Sequence, residues 1–309
     1  MALIPLKNKN IAAIIGVLFS CTACFTGVES TPKISAESVE KTLPGNIAEQ
    51  QYLSDITGES PRLWQPGKQF HVTDDRIGII FNPGAPELKA GDIISYKDMH
   101  QVVSLTGDPI VELVFSDSQS REMIYRMDTS EGALKQLSNI DIPFAVEHTI
   151  IDSVKSRMQD KTFYILTPVW YDLKEQSFTG RKFVPVKVIE VQPGNSVYPV
   201  KLKLSDENGN PFFMFMSVGA NAKAPRGFHK LFSLTDPRLK YPLIKDNVWQ
   251  NIINNRIAID MTLDECRLAL GTPSKVIRRA DQSTLYEIWT YENGIYLLFR
   301  DGILSEYRR

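Results

Sequence analysis

The sequence predicts an α+β protein. Two small, mostly-β modules, each a half-open barrel or sandwich, are related by duplication and followed by a domain of two helices and a three-stranded sheet. Three observations predict this. From Leu63 to about Met216 the chain is rich in Val, Ile and Phe and often alternates apolar with polar residues, the period-two pattern of half-buried strands. Two of those runs, "IVELVFSD" (110–117) and "PVKLKLSD" (199–206), match at an offset of 89 residues. Beyond residue 245 the apolar spacing turns helical twice, and then strands follow, separated by Asn293-Gly294 and Asp301-Gly302. Those dipeptides are strong short hairpin signals.

Length and composition set the bounds. The chain has 309 residues, room for two or three domains, and its 43% hydrophobic content supplies real cores. Its net charge of −1 gives no strongly basic balance, so nucleic acid is not an expected partner.

The first residues read as an export signal (1–20). Lys7 and Lys9 form a positive start, and Ile11 to Phe19 is an apolar run of nine residues, too short to span a bilayer. "LFSC" follows, and "CTAC" after it. This resembles the lipobox of bacterial lipoproteins, in which the cysteine is acylated and becomes the new amino terminus. Leu18, three positions before Cys21, selects Cys21 as the lipidated residue, with Cys24 the alternative. The third cysteine is Cys266, so no disulfide framework is available. The expected localisation is the cell envelope, lipid-anchored. No acidic run follows the cysteines, which favours the outer membrane facing the periplasm. Residues 21–60 carry scattered Gly and Pro and read as a tether, with a short helix near Asn46–Leu53.

The first β module is placed at 61–135, and a linking helix with the second module at 136–222. Val111, Leu113 and Phe115 share one face of their strand, as Val200, Leu202 and Leu204 share one of theirs. Gly91 with Gly180, and Met127 with Met216, keep the offset of 89, while "KQF" (68–70) resembles "KTF" (161–163) at a slightly different one. "SDENGN" (205–210) is a hairpin turn; its spacing does not fit an EF-hand. Between the modules Val146, Ile150, Ile151, Val154 and Met158 recur at helical spacing within 143–158.

The last domain occupies 223–309. Its first helix spans about Asn247–Asn254, capped by Asp246. In "MTLDECRLALGTP" (261–273) the adjacent Asp264, Glu265 and Cys266 invite a catalytic reading. Helix chemistry explains them better: Thr262 and Glu265 form a capping box, the acids meet the helix dipole, Cys266 joins Leu263 and Leu270 on one face, and Gly271 with Pro273 ends the helix. With "YEIWTYENGIYLLFRDGIL", this stretch resembles the SmpA/OmlA (BamE-like) family over about 245–309. The resemblance implies a two-helix, three-strand fold and a role in binding protein partners in the envelope, without catalysis or cofactor.

No HExxH or HxxxH spacing links the four histidines, and no nucleophile-elbow or phosphate-loop glycine pattern occurs. No catalytic residue, metal ligand or cofactor is therefore predicted. Two binding surfaces are. With a two-residue loop at Asn293-Gly294, Trp289 faces Leu298 and Tyr291 faces Tyr296; with another at Asp301-Gly302, Tyr296 faces Tyr307. Ile288, Leu297, Phe299 and Leu304 then cover the helices. Trp289, Tyr291, Tyr296, Leu298 and Tyr307 form an opposite, aromatic face, with a Glu287–Arg300 pair at its edge, that docks an envelope protein. The second surface is Trp170 with Tyr171, a stacking platform for peptidoglycan or glycan should the modules be SH3-like ligand binders.

Overall fold

The computed structural model describes residues 47–220, 224–281 and 283–309. The export signal, Cys21, Cys24 and the first part of the tether lie outside the described residues. Among the described residues the fold is mixed and mostly β: three open sheets, with no closed barrel, and few helices.

Sheet one contains β1 (Gln69–Val72), β2 (Ile93–Val103), β3 (Pro109–Ser116), β4 (Glu122–Met127) and β5 (Ala145–Glu147), in the order β4-β3-β2-β1-β5. Sheet two contains β6 (Thr162–Ile165), β7 (Val169–Tyr171), β8 (Ser177–Thr179), β9 (Val184–Pro193), β10 (Val200–Ser205), β11 (Pro211–Met216) and β12 (Phe232–Ser233). Its order is β12-β6-β9-β10-β11-β7-β8. Without the appended β7–β8 hairpin, β11-β10-β9-β6-β12 repeats the order of sheet one.

The correspondence extends to single residues. Val111 pairs with Met127 and Val200 with Met216, the same hairpin 89 positions on. Both modules bulge at one place: Lys97 is skipped between Tyr96 and Asp98, and Ile189 between Val188 and Glu190. Ser120 and Gly209 occupy the same turn position, both at positive φ (62° and 81°). In each turn an aspartate, Asp117 or Asp206, accepts from the backbone N–H groups two and four residues ahead. The glycines correspond differently from the expectation. Phe183, not Gly180, takes the place of Gly91: both have positive φ, and the N–H of each bonds to the matching carbonyl, Val72 or Ile165.

Both module boundaries shift. β5, placed by composition with the second module, pairs with β1, and β12, placed with the last domain, pairs with β6. Edge strands of two or three residues carry no readable period. For the same reason the linking helix is shorter than its apolar spacing implied. It is α3 (His148–Met158), because Val146 belongs to β5; α2 (Glu131–Gln136) precedes it. Residues 47–60 are not a free tether. In α1 (Ile47–Gln51) the buried Glu49 accepts from Ser233 Oγ and the Leu234 N–H, and Leu53 and Ile56 enter the core.

The first module has its own core around Phe70, Ile94, Leu113 and Phe115. The second shares one continuous core with the C-terminal domain, from Phe163 and Leu202 through Trp249 and Cys266 to Trp289. Phe183 explains part of the difference. Its ring stacks on Trp249 of α5 (Asp246–Ile253), centroids 5.6 Å apart, where the first module has only glycine. After α4 (Phe228–Leu231) and α5 comes α6 (Leu263–Leu270), then a third sheet. It has four strands rather than three: β13 (Lys275–Asp281), β14 (Thr284–Thr290), β15 (Tyr296–Arg300) and β16 (Ile303–Arg308), in sequence order. β13 reads "KVIRRAD" and is exposed along nearly its whole length, so charge at the edge hides its alternation.

Candidate functional site

The C-terminal sheet presents the most unusual surface, and local chemistry sets its register. α6 starts as its residues require: Thr262 accepts from the Glu265 N–H, and Glu265 accepts from the Thr262 N–H. Cys266 is fully buried, and burial, with the Glu265 carboxylate adding to it, pushes its thiol up to about 12. A thiol held protonated is a packing group, not a nucleophile. Asp246 does not cap α5; it is the first helical residue and pairs with Arg238.

Tyr291 and Ile295 close the first hairpin: the Tyr291 N–H donates to the Ile295 carbonyl, and Gly294, at φ 82°, donates to the Tyr291 carbonyl. The loop therefore holds three residues, not two. Trp289 pairs with Leu297 and Ile288 with Leu298. A one-residue slip turns every side chain to the other face. The second loop has two residues as expected, with Asp301 and Gly302 both at positive φ and Arg300 opposite Ile303. A bulge at Ser305 then brings Arg308, not Tyr307, opposite Tyr296.

The expected aromatic face is therefore divided. Trp289 (0% exposed) and Tyr291 (9%) join Leu297, Phe299 and Leu304 against the helices. The Trp289 indole N–H donates to Glu287 Oε1 at 2.6 Å, and Arg278 on β13, rather than Arg300, is the ion partner of Glu287. Burial raises the Glu287 carboxyl, but the Arg278 and Trp289 donors outweigh it and hold the group below its ordinary range. The Tyr291 hydroxyl donates to the Gly271 carbonyl at 3.1 Å. Tyr307 lies at the sheet edge, opposite Leu297.

Tyr296, Leu298 and Arg300 remain on the other face, joined by Ile288, which was expected to cover the helices and is turned outward by the slip, and by residues that the sequence did not mark. Three rows of facing residues cross the four strands. The middle row is Ile277, Ile288, Leu298 and Glu306. One flanking row is Lys275, Thr290, Tyr296 and Arg308; the other is Arg279, Tyr286, Arg300 and Ile303. Ile277, Ile288, Leu298, Tyr286 and Tyr296 are half-buried by their neighbours within the sheet, and none packs on the core. Finding Ile277 and Arg279 required recognising β13; finding Ile288 required the three-residue loop.

The second predicted surface is closed. Trp170 is 5% exposed, stacked on Phe212 with centroids 3.9 Å apart, and covered by Gly180, where any Cβ would overlap the indole. Tyr171 packs against Phe215 and Arg226. A cavity beneath α1, lined by Leu53, Ser217, Gly219 and Phe228 among others, has about 40 Å³, room for water and not for a sugar ring.

Two polar features join parts of the chain. Lys182 is 5% exposed and donates through Nζ to the Ala269 carbonyl at 2.7 Å, in the last turn of α6; burial brings its ammonium down to about 8. His71 on β1 meets His148, the first residue of α3, at 2.7 Å between Nε2 and Nδ1, and His148 Nε2 faces Asp152 at 3.1 Å. With His148 Nε2–H donating to the Asp152 carboxylate, His148 Nδ1 is the acceptor and His71 Nε2–H the donor between the two rings. Among the described residues, no group of three or more His, Cys, Asp or Glu is arranged to hold a metal ion. No helix there is long and apolar enough to cross a membrane. Comparison with family models, curated proteins and solved structures found no match.

Proposed function

We propose that the chain is a non-enzymatic, lipid-anchored envelope protein that acts as a protein-binding or structural adaptor. The open face of its C-terminal sheet is the docking surface, and the two β modules serve as spacer or second contact. One observation carries the reading: the half-exposed row Ile277–Ile288–Leu298, with Tyr286 and Tyr296 beside it, on the sheet face turned away from the core. An antiparallel sheet covered by helices on one side normally turns polar residues to water on the other, and aliphatic and tyrosine side chains there are characteristic of interfaces. The "LFSC" signal, with Cys21 as the acylated residue, supports envelope attachment in the outer membrane facing the periplasm. The order of α5, α6 and sheet supports the BamE-like resemblance, with β13 as an added strand. We also read the two modules as copies of one ancestral unit; shared strand order, register, bulge and positive-φ positions support this.

The test replaces Leu298 with a photo-crosslinking residue in the full chain in its own cells. A discrete protein adduct is expected, lost in Ile288→Asp, together with fatty-acid labelling lost in Cys21→Ala. Failure to crosslink any protein at this face would sink the adaptor reading; labelling that survives in both Cys21→Ala and Cys24→Ala would sink the anchor.

A further inference from the structure

We propose that the partner of the C-terminal sheet is an acidic protein segment, an aliphatic strip bordered on both sides by carboxylates. The inference rests on the reading that this face docks a protein, and it adds the partner's chemistry. The face carries Lys275 and Arg308 in one outer row and Arg279 and Arg300 in the other, against two carboxylates, Glu306 in the middle row and Asp281 one step beyond Arg279 at the end of its strand. This cluster of cations belongs to a chain whose net charge is −1. All four cationic side chains are exposed. Among the described residues none of them has a partner in a close ion pair; Arg278, in the same strand as Lys275 and Arg279, turns to the other face and is held by Glu287.

The arrangement is ordered as well as charged. The aliphatic row Ile277–Ile288–Leu298 runs across the strands, and a cation-bearing row lies about 7 Å to either side of it, two residues along each strand. Tyr286 and Tyr296 stand in those flanking rows next to the aliphatic centre, and the Arg300 guanidinium lies 5.8 Å from the Tyr286 ring centre. An occupant that buries the centre must bring negative charge to both margins, because a neutral or basic one would desolvate the cations without compensation. The same charge opposes a second copy of this chain: face to face, cations would meet cations. A lipid headgroup layer would meet the cations and bring no apolar side chain to the aliphatic row between them. The patch measures only about 14 Å by 14 Å between its outermost Cα positions, so the contact belongs to the small, transient class.

The test uses purified full-length protein in non-ionic detergent and two labelled synthetic helices of about 15 residues, enough to cross the sheet at ~1.5 Å per residue. Both carry one leucine stripe; one is flanked by glutamates, the other by lysines. The glutamate helix is expected to bind about tenfold or more tightly than the lysine helix, and less tightly as salt rises. Arg279→Glu combined with Arg300→Glu should invert that preference, and Leu298→Asp should weaken binding without lowering the melting temperature. Equal binding of both helices, or of neither, overturns the proposal. Capture by phosphatidylglycerol vesicles in place of the glutamate helix overturns it in favour of lipid, and self-association lost in Leu298→Asp overturns it in favour of a second copy. If crosslinking at Leu298 yields a protein while the helices show no charge preference, docking stands and the acidic chemistry falls. If the charge preference holds without any crosslink in cells, the chemistry stands and the adaptor reading falls.

Discussion

Trp289 lies opposite Leu297, and its indole N–H donates to the buried carboxylate of Glu287 at 2.6 Å. This pairing makes Trp289 part of the core between the sheet and the helices. Trp289→Ala should therefore cost about 3–5 kcal/mol, from lost burial and the cavity left behind, and should also leave Glu287 short of a donor. Urea denaturation checks this. Leu298→Asp on the open face should leave the unfolding free energy within about 0.5 kcal/mol of wild type; a loss as large as in Trp289→Ala would mean that the open face is packed.

Lys182 joins the second module to the last turn of α6 through the Ala269 carbonyl. Its folded-state value is about 8, against 10.5 for an unburied lysine. Between those values the unfolded chain holds the proton and the folded chain does not, so stability rises with pH across that window. Below about pH 8 both states are charged and the whole burial cost, up to about 3 kcal/mol, is present. Denaturation at pH 7.5 to 9.5 should show this rise in wild type, reduced by an opposing fall from Cys266, whose buried thiol stays protonated while the unfolded chain loses that proton near pH 9.0; Lys182→Met should keep only the fall. The range stops there because burial raises the hydroxyl of Tyr291, and ionisation of tyrosines in the unfolded chain at higher pH opposes the effect.

His71 answers acid. Burial, then the neighbouring His148, lowers its pKa, and Asp152 offsets this only in part. The unfolded chain then takes up the proton first as pH falls through about 6.5. Stability present above that pH is lost below it, down to the folded value. Between pH 7 and 5 wild type should lose more stability than His71→Phe, and amide exchange should report the loss first in β1 and the first turn of α3. Equal losses in the two proteins would show that the pair does not couple the modules.

Ser120 occupies the turn position that Gly209 fills in the second module, at φ 62°. A left-handed backbone costs a non-glycine residue about 1–2 kcal/mol, partly offset by the added freedom of glycine in the unfolded chain. Ser120→Gly should stabilise the protein by about 0.5–1 kcal/mol, and Gly209→Ala should destabilise it by a similar amount. A neutral Ser120→Gly would argue against equivalent turns.

Wherever a local chemical rule was sufficient, the sequence alone determined the outcome. The Thr262–Glu265 capping box, the buried Cys266, the left-handed Asp301-Gly302 turn and the matched hairpins at 111–127 and 200–216 all follow from neighbours within a few residues. The tertiary structure decided what depended on pairing. β5 and β12 are too short to carry a pattern and exist as strands only because β1 and β6 lie beside them. Trp170 resembled a ligand platform until Phe212 and Gly180 closed over it. The candidate site turned on one residue of loop length: Asn293-Gly294 suits either a two- or a three-residue hairpin, and the burial of Trp289 in the core, against Phe299 and beneath Arg267 of α6, goes with the longer. With a side-chain period of two, that choice sent Trp289 and Tyr291 inward. It left Ile288 and Leu298 between two rows of cations.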